Sequence, residues 1–200
     1  MKKKITATVL SQKEIAPRIF DMWIATELAA CAKAGQFIGV YPKDRSTLLP
    51  RPISICQVND KKDALRIVYR IAGQGTAEFS SYQEGDGVEI LGTLGNGFPT
   101  EAAESKKVFL MGGGIGIPPM LELARELPAS TEKQIIVGYR DDQLFLKEDL
   151  EKNGTVYIAT EDGSVGTKGN VMNAIEENHL QADVIFACGP MPMLRAIKKY

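Results

Sequence analysis

The chain is 200 residues long with 24 basic against 25 acidic side chains, a formal net charge of −1, and so lacks the basic excess with which nucleic-acid binders neutralise phosphates. Apolar residues at 44% and charged residues at 24% give the balance of a folded globular chain, long enough for one or two domains. Three scattered cysteines, Cys31, Cys56 and Cys188, exclude a disulfide framework, and the single His179 removes His-rich metal sites and argues against a Ser–His–Asp triad.

Met1-Lys2-Lys3-Lys4 has the charge of a signal peptide. The run that follows, Ile5–Leu10, is short, contains two threonines and meets Ser11-Gln12-Lys13-Glu14, so no h-region forms and a cytoplasmic protein is expected. No stretch approaches the roughly 18 apolar residues of a membrane helix, the best candidate from Val108 to Leu121 being broken by glycines and Pro118-Pro119. Short β-rich runs follow one another at Ile5–Leu10, Ile19–Ala25, Gln36–Tyr41, Ile53–Val58, Leu65–Ile71 and Val88–Leu91, with a helical pattern only around Thr76–Tyr82. Asn59 to Asp63 reads as a hairpin loop, and the series predicts a small antiparallel β-barrel.

After residue 105 the rhythm becomes strand, turn, helix. Strands are expected at Lys107–Met111, Gln134–Tyr139, Val156–Thr160 and Val184–Ala187. Helices are expected from Met120 to Leu127, Leu144 to Leu150, Val171 to Glu177 and Met193 to Lys199. Such alternation predicts βα units on a parallel sheet, whose ligands bind outside the carboxyl ends of the strands. The expected organisation is therefore residues 1–100 as a barrel and 101–200 as an α/β nucleotide-binding domain.

The motifs sit where ligands would be held. Arg51-Pro52-Ile53-Ser54 opens a strand. Pro52 suits a strand start, Arg51 offers a donor fork to phosphate, and Ser54 a hydroxyl to a ring heteroatom; the alternative is an ordinary strand entry with a solvated arginine. Val68-Tyr69-Arg70 ends a strand, and Gly73-Gln74-Gly75-Thr76 opens a short helix whose N–H groups could meet phosphate, unless Thr76 only caps it. Gly112 to Pro119 lies between strand and helix. It is not the G-x-G-x-x-G fingerprint, and it lacks the lysine of a Walker A loop, but its residues Gly113, Gly114, Ile115 and Gly116 permit close approach of a dinucleotide; the alternative is a purely structural tight turn. Cys188-Gly189-Pro190 follows the last strand, where a thiol could lie near a nicotinamide ring or simply be buried. The polar loop from Thr160 to Gly169 could contact a cofactor edge or be a solvated connection. Cys31 and Cys56 read as core or strand residues and His179 as a surface residue. No metal site and no acid–base pair is assigned.

Arg51-Pro52-Ile53-Ser54, Gly75-Thr76, Gly112 to Pro119 and Cys188-Gly189-Pro190, in that order and spacing, resemble the ferredoxin–NADP reductase superfamily. Gly85-Asp86, Leu91 to Phe98, the Thr160–Gly169 loop and Cys188 to Leu194 narrow the resemblance to the electron-transfer subunits of class B dihydroorotate dehydrogenases. The resemblance implies a flavin-binding barrel followed by a nucleotide-binding α/β domain. It implies FAD on residues matching Arg51 to Ser54, Val68 to Arg70, and Gly75-Thr76, and NAD(H) on residues matching Gly113 to Gly116 and Cys188 to Pro190. It further implies electrons passed to NAD from dihydroorotate oxidation in an FMN-containing partner subunit, through a 2Fe–2S cluster, in a heterotetramer serving pyrimidine synthesis. The family's cluster is held by four cysteines downstream of Cys188-Gly189-Pro190. This sequence stops at Tyr200 inside a continuing helical pattern, so a truncated form without cluster ligands is expected. Rival readings are a subunit of a sulfide dehydrogenase or of an NADH-dependent ferredoxin–NADP oxidoreductase, and a nucleotide-binding module without turnover.

Overall fold

The computed structural model describes residues 3–44 and 46–200, and the chain divides into two compact units, Met1–Gly97 and Phe98–Tyr200. In the first unit β1 (Lys3–Ala16), β2 (Ile19–Ala25), β3 (Phe37–Tyr41), β4 (Arg51–Val58), β5 (Ala64–Arg70) and β6 (Gly87–Leu94) close a barrel in the order β1-β2-β5-β4-β3-β6, antiparallel at every pairing. Side chains alternate across each strand, so Met22 and Ile24 of β2, Ile38 and Val40 of β3, and Leu65, Ile67 and Tyr69 of β5 share one buried core.

β1 runs past the expected end at Leu10. Its first half pairs with β6 (Lys3↔Gly92 to Thr8↔Gly87) and its second with β2 (Gln12↔Met22, Glu14↔Phe20), with an irregularity between Val9 and Ser11. The polar run Ser11–Glu14, read from sequence as the end of a strand, is the second half of a long one that changes partner. The Asn59–Asp63 hairpin is closed by Asn59, whose Oδ1 accepts from the N–H groups of Asp63 and Ala64. On the outer faces of β2 and β5, Arg66 makes a two-pronged pair with Asp21, Nε to Oδ1 at 2.9 Å and Nη2 to Oδ2 at 2.8 Å.

After β5, α1 (Gln74–Phe79) is a short helix whose last residue, Phe79, is fully buried in the barrel core and meets Tyr69 edge-on at 6.0 Å. Burying such a ring contributes about 2 kcal/mol. Cys31 ends a 3₁₀ turn, Glu27–Cys31, and is exposed, which corrects the expectation of a core or strand cysteine; Cys56 is buried in β4 as expected.

The second unit is a parallel sheet of β7 (Lys107–Gly113), β8 (Glu132–Tyr139), β9 (Thr155–Thr160), the two-residue β10 (Thr167–Lys168) and β11 (Val184–Cys188), in the order β10-β9-β8-β7-β11. The helices are α2 (Pro118–Glu126), α3 (Lys147–Glu151), α4 (Val171–Glu177) and α5 (Met191–Lys199). Pro118 and Pro119 occupy the first turn of α2, where their missing N–H groups cost nothing. α4 and α5 cover a face built on Phe109, Met111, Ile136 and Ala159, with Ile175, Met193 and Ile197 packed onto it. α3 is shorter than the predicted Leu144–Leu150. The Tyr139 hydroxyl donates to the Phe145 carbonyl at 2.9 Å and holds that segment as a turn, and Leu146 adopts φ 64° before the helix begins. Among the described residues no helix is long and apolar enough to cross a membrane.

Candidate functional site

In the barrel, the register between β4 and β5 runs only from Ile55↔Ile67 to Val58↔Leu65. β4 nevertheless extends back to Arg51, paired with β3, and β5 runs on to Arg70, paired with β2. Arg51–Ser54 and Val68–Arg70 are thus facing strand ends outside the ladder. The edges they turn toward each other carry backbone donors and acceptors that no β4–β5 pairing occupies. This brings together the two segments singled out from sequence.

At the mouth of this gap stands Arg51. A Cβ added to Gly75 would lie 2.8 Å from Arg51 Nε and 3.1 Å from Pro42 Cγ, so glycine there lets the guanidinium come close to the first turn of α1. Arg51 Nη1 donates to the Leu49 carbonyl at 2.6 Å, which leaves most of its five donors for another acceptor. Gly73, just before the helix, has nothing within 4 Å of its own added Cβ.

The remaining barrel residues divide between core and surface. Tyr69 is fully buried and donates to Gln12 Oε1 at 2.8 Å, so its side chain serves the core and a ligand in the gap could meet only its backbone. Ile53 likewise packs against the core, whereas Ser54, on the alternate face, is half-buried and Arg70 and Pro52 are exposed. Val68 is buried. Thr76 Oγ1 accepts from the N–H groups of Ala72 and Gly73 and donates to the Gly73 carbonyl at 3.0 Å. Its one hydroxyl hydrogen is therefore committed to the helix start, as the capping alternative anticipated, although the cap position itself is Gly73.

In the sheet unit the chain runs outward from β7 through β8 and β9 to β10, then returns to the other side of β7 as β11. The order reverses between β7 and β11, whose carboxyl ends are in register at Cys188↔Gly112. Both predicted loops leave from this point. Gly116 is buried with its added Cβ against the Cys188 carbonyl oxygen, and a Cβ on Gly113 would stand 2.6 Å from Met193 Sδ and 3.2 Å from Pro190 Cδ. Gly114 and Ile115 are the exposed part of the turn, and nothing lies within 4 Å of a Cβ on Gly114. Gly113 and Gly116 thus join the two loops to each other, and Gly114-Ile115 is the side open to a ligand. Met193, to which the sequence reading gave no role, also sits 2.7 Å (Cε) from a Cβ placed on Gly189 and spaces the two loops. Its only advance signal was its nearness to that motif.

Burial pushes the Cys188 thiol above its ordinary range, so it is a neutral, unactivated group at neutral pH. The Thr160–Gly169 loop is held internally: Thr160 is buried and its hydroxyl donates to the Val165 carbonyl at 2.8 Å, while Asp162 accepts from the Ser164 N–H and hydroxyl. That favours the structural reading of this loop. His179 is exposed, as expected.

No protein-family model matches the chain. It is 41% identical over 199 residues to the electron transfer subunit of dihydroorotate dehydrogenase B (NAD(+)) from Streptococcus mutans, covering 98% of this chain and 77% of that protein. The chain belongs to this family. The Bacillus caldolyticus subunit of the same name is 42% identical over 195 residues, with 95% and 76% covered. Among solved structures, an NADH-dependent reduced ferredoxin–NADP oxidoreductase superposes with a TM-score of 0.86 at 25% identity, over 100% of this chain and 73% of that one. The cytochrome b5 reductase domain of Ulva prolifera nitrate reductase gives 0.76 at 17%, over 96% and 89%, and speaks for the fold alone. The barrel and parallel sheet described above are thus the two-unit architecture of ferredoxin reductase-like proteins.

Proposed function

We propose that the protein is an FAD-dependent oxidoreductase subunit that passes electrons from dihydroorotate oxidation, performed by an FMN-containing partner subunit, to NAD in pyrimidine synthesis. The observation that carries this reading is the unpaired seam between Arg51–Ser54 and Val68–Arg70 with Arg51 lying against Gly75 at its mouth. A planar ring with polar edges finds main-chain partners along such a seam, and a pyrophosphate finds the guanidinium fork beside it. When bound, FAD and the nicotinamide supply the hydride exchange. The chain's own residues orient and shield: Arg51 and Arg70 hold anionic or ribose groups, Ser54 offers a hydroxyl to the ring, and Gly114-Ile115 receives the nicotinamide nucleotide at the β7/β11 switch point.

Asp141, just past β8, would read the free ribose diol of NAD. Its Oδ1 accepts from the Gln143 N–H at 3.1 Å, which fixes the carboxylate. The cysteines do not fit a four-thiolate cluster: Cys31 is exposed, Cys56 buried in β4 and Cys188 half-buried at the end of β11, and among the described residues no group of three or more His, Cys, Asp or Glu could hold a metal ion.

Purified protein should carry or take up FAD with the visible spectrum of a flavoprotein, and NADH should bleach that spectrum. Protein that takes up no FAD overturns the proposal. Full FAD occupancy without bleaching favours a binding module instead.

A further inference from the structure

Glu78 lies on α1, about one turn beyond Gly75, and its carboxylate is held by two N–H groups of the loop that joins β3 to β4 and by one hydroxyl that follows α1. Oε1 accepts from the Lys43 N–H at 2.5 Å and from the Tyr82 hydroxyl at 2.6 Å, and Oε2 accepts from the Asp44 N–H at 3.1 Å. Lys43 is held in turn, its ammonium 4.5 Å from the centre of the Tyr82 ring and 3.8 Å from Asp86 Oδ1. The same loop presses Pro42 toward Gly75 and supplies the Leu49 carbonyl that accepts from Arg51. Arg51 therefore sits at the far end of a segment whose near end is fastened to α1 by one carboxylate.

We propose that Glu78 is a positioning residue for flavin binding: by clamping the start of the β3–β4 loop onto α1 it fixes Arg51 beside Gly75, where the guanidinium meets the FAD phosphates. The inference rests on the flavin reading above and adds a residue that touches neither cofactor. Two backbone donors on one carboxylate are charge-assisted hydrogen bonds, stronger than neutral ones, and with the Lys43 contacts to Asp86 and the Tyr82 ring they restrict the start of the loop. Burial raises the Glu78 pKa, but the three hydrogen bonds more than offset that and hold it below the ordinary carboxylate range, so the clamp is ionised at neutral pH.

A double-mutant cycle on FAD affinity tests this. The flavin-free protein is titrated with FAD, followed by quenching of flavin fluorescence, for the unaltered chain, Arg51→Ala, Glu78→Ala and the double variant. Arg51→Ala is expected to weaken binding about tenfold or more, the scale of a lost charge-assisted contact. Glu78→Ala should weaken it several-fold, yet change the affinity of Arg51→Ala by less than about twofold, because its effect runs through the arginine. Glu78→Gln keeps an acceptor oxygen for the loop and should recover part of the loss; where Glu78→Ala does not fold, the same cycle with Glu78→Gln decides. An unchanged affinity in Glu78→Ala, or an equal loss in both backgrounds, overturns the positioning role while leaving the flavin site intact. An Arg51→Ala protein that binds FAD like the parent overturns the flavin reading of Arg51 first, and the role of Glu78 with it.

Discussion

The Tyr69 hydroxyl donates to Gln12 Oε1 at 2.8 Å, and Gln12 passes the connection on, its Nε2 donating to the carbonyls of Phe79 at 3.0 Å and Tyr82 at 2.9 Å. One amide on β1 thereby bonds the Phe79 carbonyl, which also accepts from the Tyr82 N–H at 3.1 Å, and the Tyr82 carbonyl just past α1, and ties the end of that helix to the barrel core. Gln12→Leu is expected to leave three polar groups without this partner and to destabilise the protein by about 2 kcal/mol, the range for stranded polar groups that retain some access to water. Tyr69→Phe, which removes only the donor, should cost about 1 kcal/mol. Urea unfolding of both variants checks the ordering, and a Gln12→Leu protein as stable as the parent refutes it.

Gly75→Ala is expected to separate stability from binding. The added methyl meets the outer part of the long Arg51 side chain, which can swing away at little cost, and stands 3.1 Å from Pro42 Cγ, which must give by a fraction of an ångström; the swing carries the Arg51 guanidinium off the helix start. The melting temperature should move by no more than a few degrees while FAD affinity falls about tenfold. Fluorescence titration alongside thermal unfolding reads both.

Gly116 and Gly114, two residues apart, should respond differently to alanine. At Gly116 the methyl strikes the main chain at Cys188 and cannot be accommodated by a rotamer change, so a loss of more than about 2 kcal/mol of stability is expected. At Gly114 the space is open and the penalty is that of φ +53°, about 1 kcal/mol. The Gly114→Ala methyl projects toward the proposed nucleotide, so it should raise the KM for NADH more than it lowers the melting temperature. Steady-state NADH oxidation with an artificial acceptor measures the first quantity.

Thiol labelling should follow burial and protonation. The Cys188 pKa is raised, so its reactive thiolate fraction at a given pH is smaller than that of an unperturbed thiol, and it grows only as pH climbs past the ordinary value of 9.0. Iodoacetamide at pH 8 is expected to modify exposed Cys31 first and Cys188 slowly, with Cys188 accelerating at higher pH. Peptide mass spectrometry over time gives both rates. NAD(H) bound at the β7/β11 switch point should slow the Cys188 reaction further and leave Cys31 unaffected.

Coenzyme preference is expected to rest on Asp141. NADH should be used at least about tenfold more efficiently than NADPH, whose 2′-phosphate would face the carboxylate. Asp141→Asn should narrow that ratio by raising NADPH efficiency. Comparison of kcat/KM for the two coenzymes tests it.

The elements with regular apolar rhythm were legible in advance: Ile19–Ala25 and Val171–Glu177 coincide with β2 and α4, and the change from barrel to βα rhythm foretold the two architectures. The segments around Arg51 and Gly112 stood out because small and rigid residues at strand ends let a backbone approach a ligand, and the structure places both at strand ends. What escaped notice was polar. Ser11–Glu14 looked like the end of a strand because hydrophilic residues on an outward face resemble a turn, and Gln12 was lost with them. Glu78 belongs to no motif, since two of its partners are main-chain N–H groups some 35 positions away, which carry no residue identity to read, and Tyr82 takes its role only through that carboxylate. The divergence of β4 from β5 is likewise a property of pairing, invisible in either strand alone.

The contact between Gly116 and the Cys188 carbonyl joins two turns, about 70 positions apart in the chain, with no side chain interposed. Side chains act as springs, absorbing small displacements by changing rotamer, and at this contact there is none to yield. The socket at the head of the sheet therefore has one rigid point, where a shift of either turn pushes directly on the other, and one yielding point beside it, where the flexible Met193 side chain stands against Gly113 and Gly189.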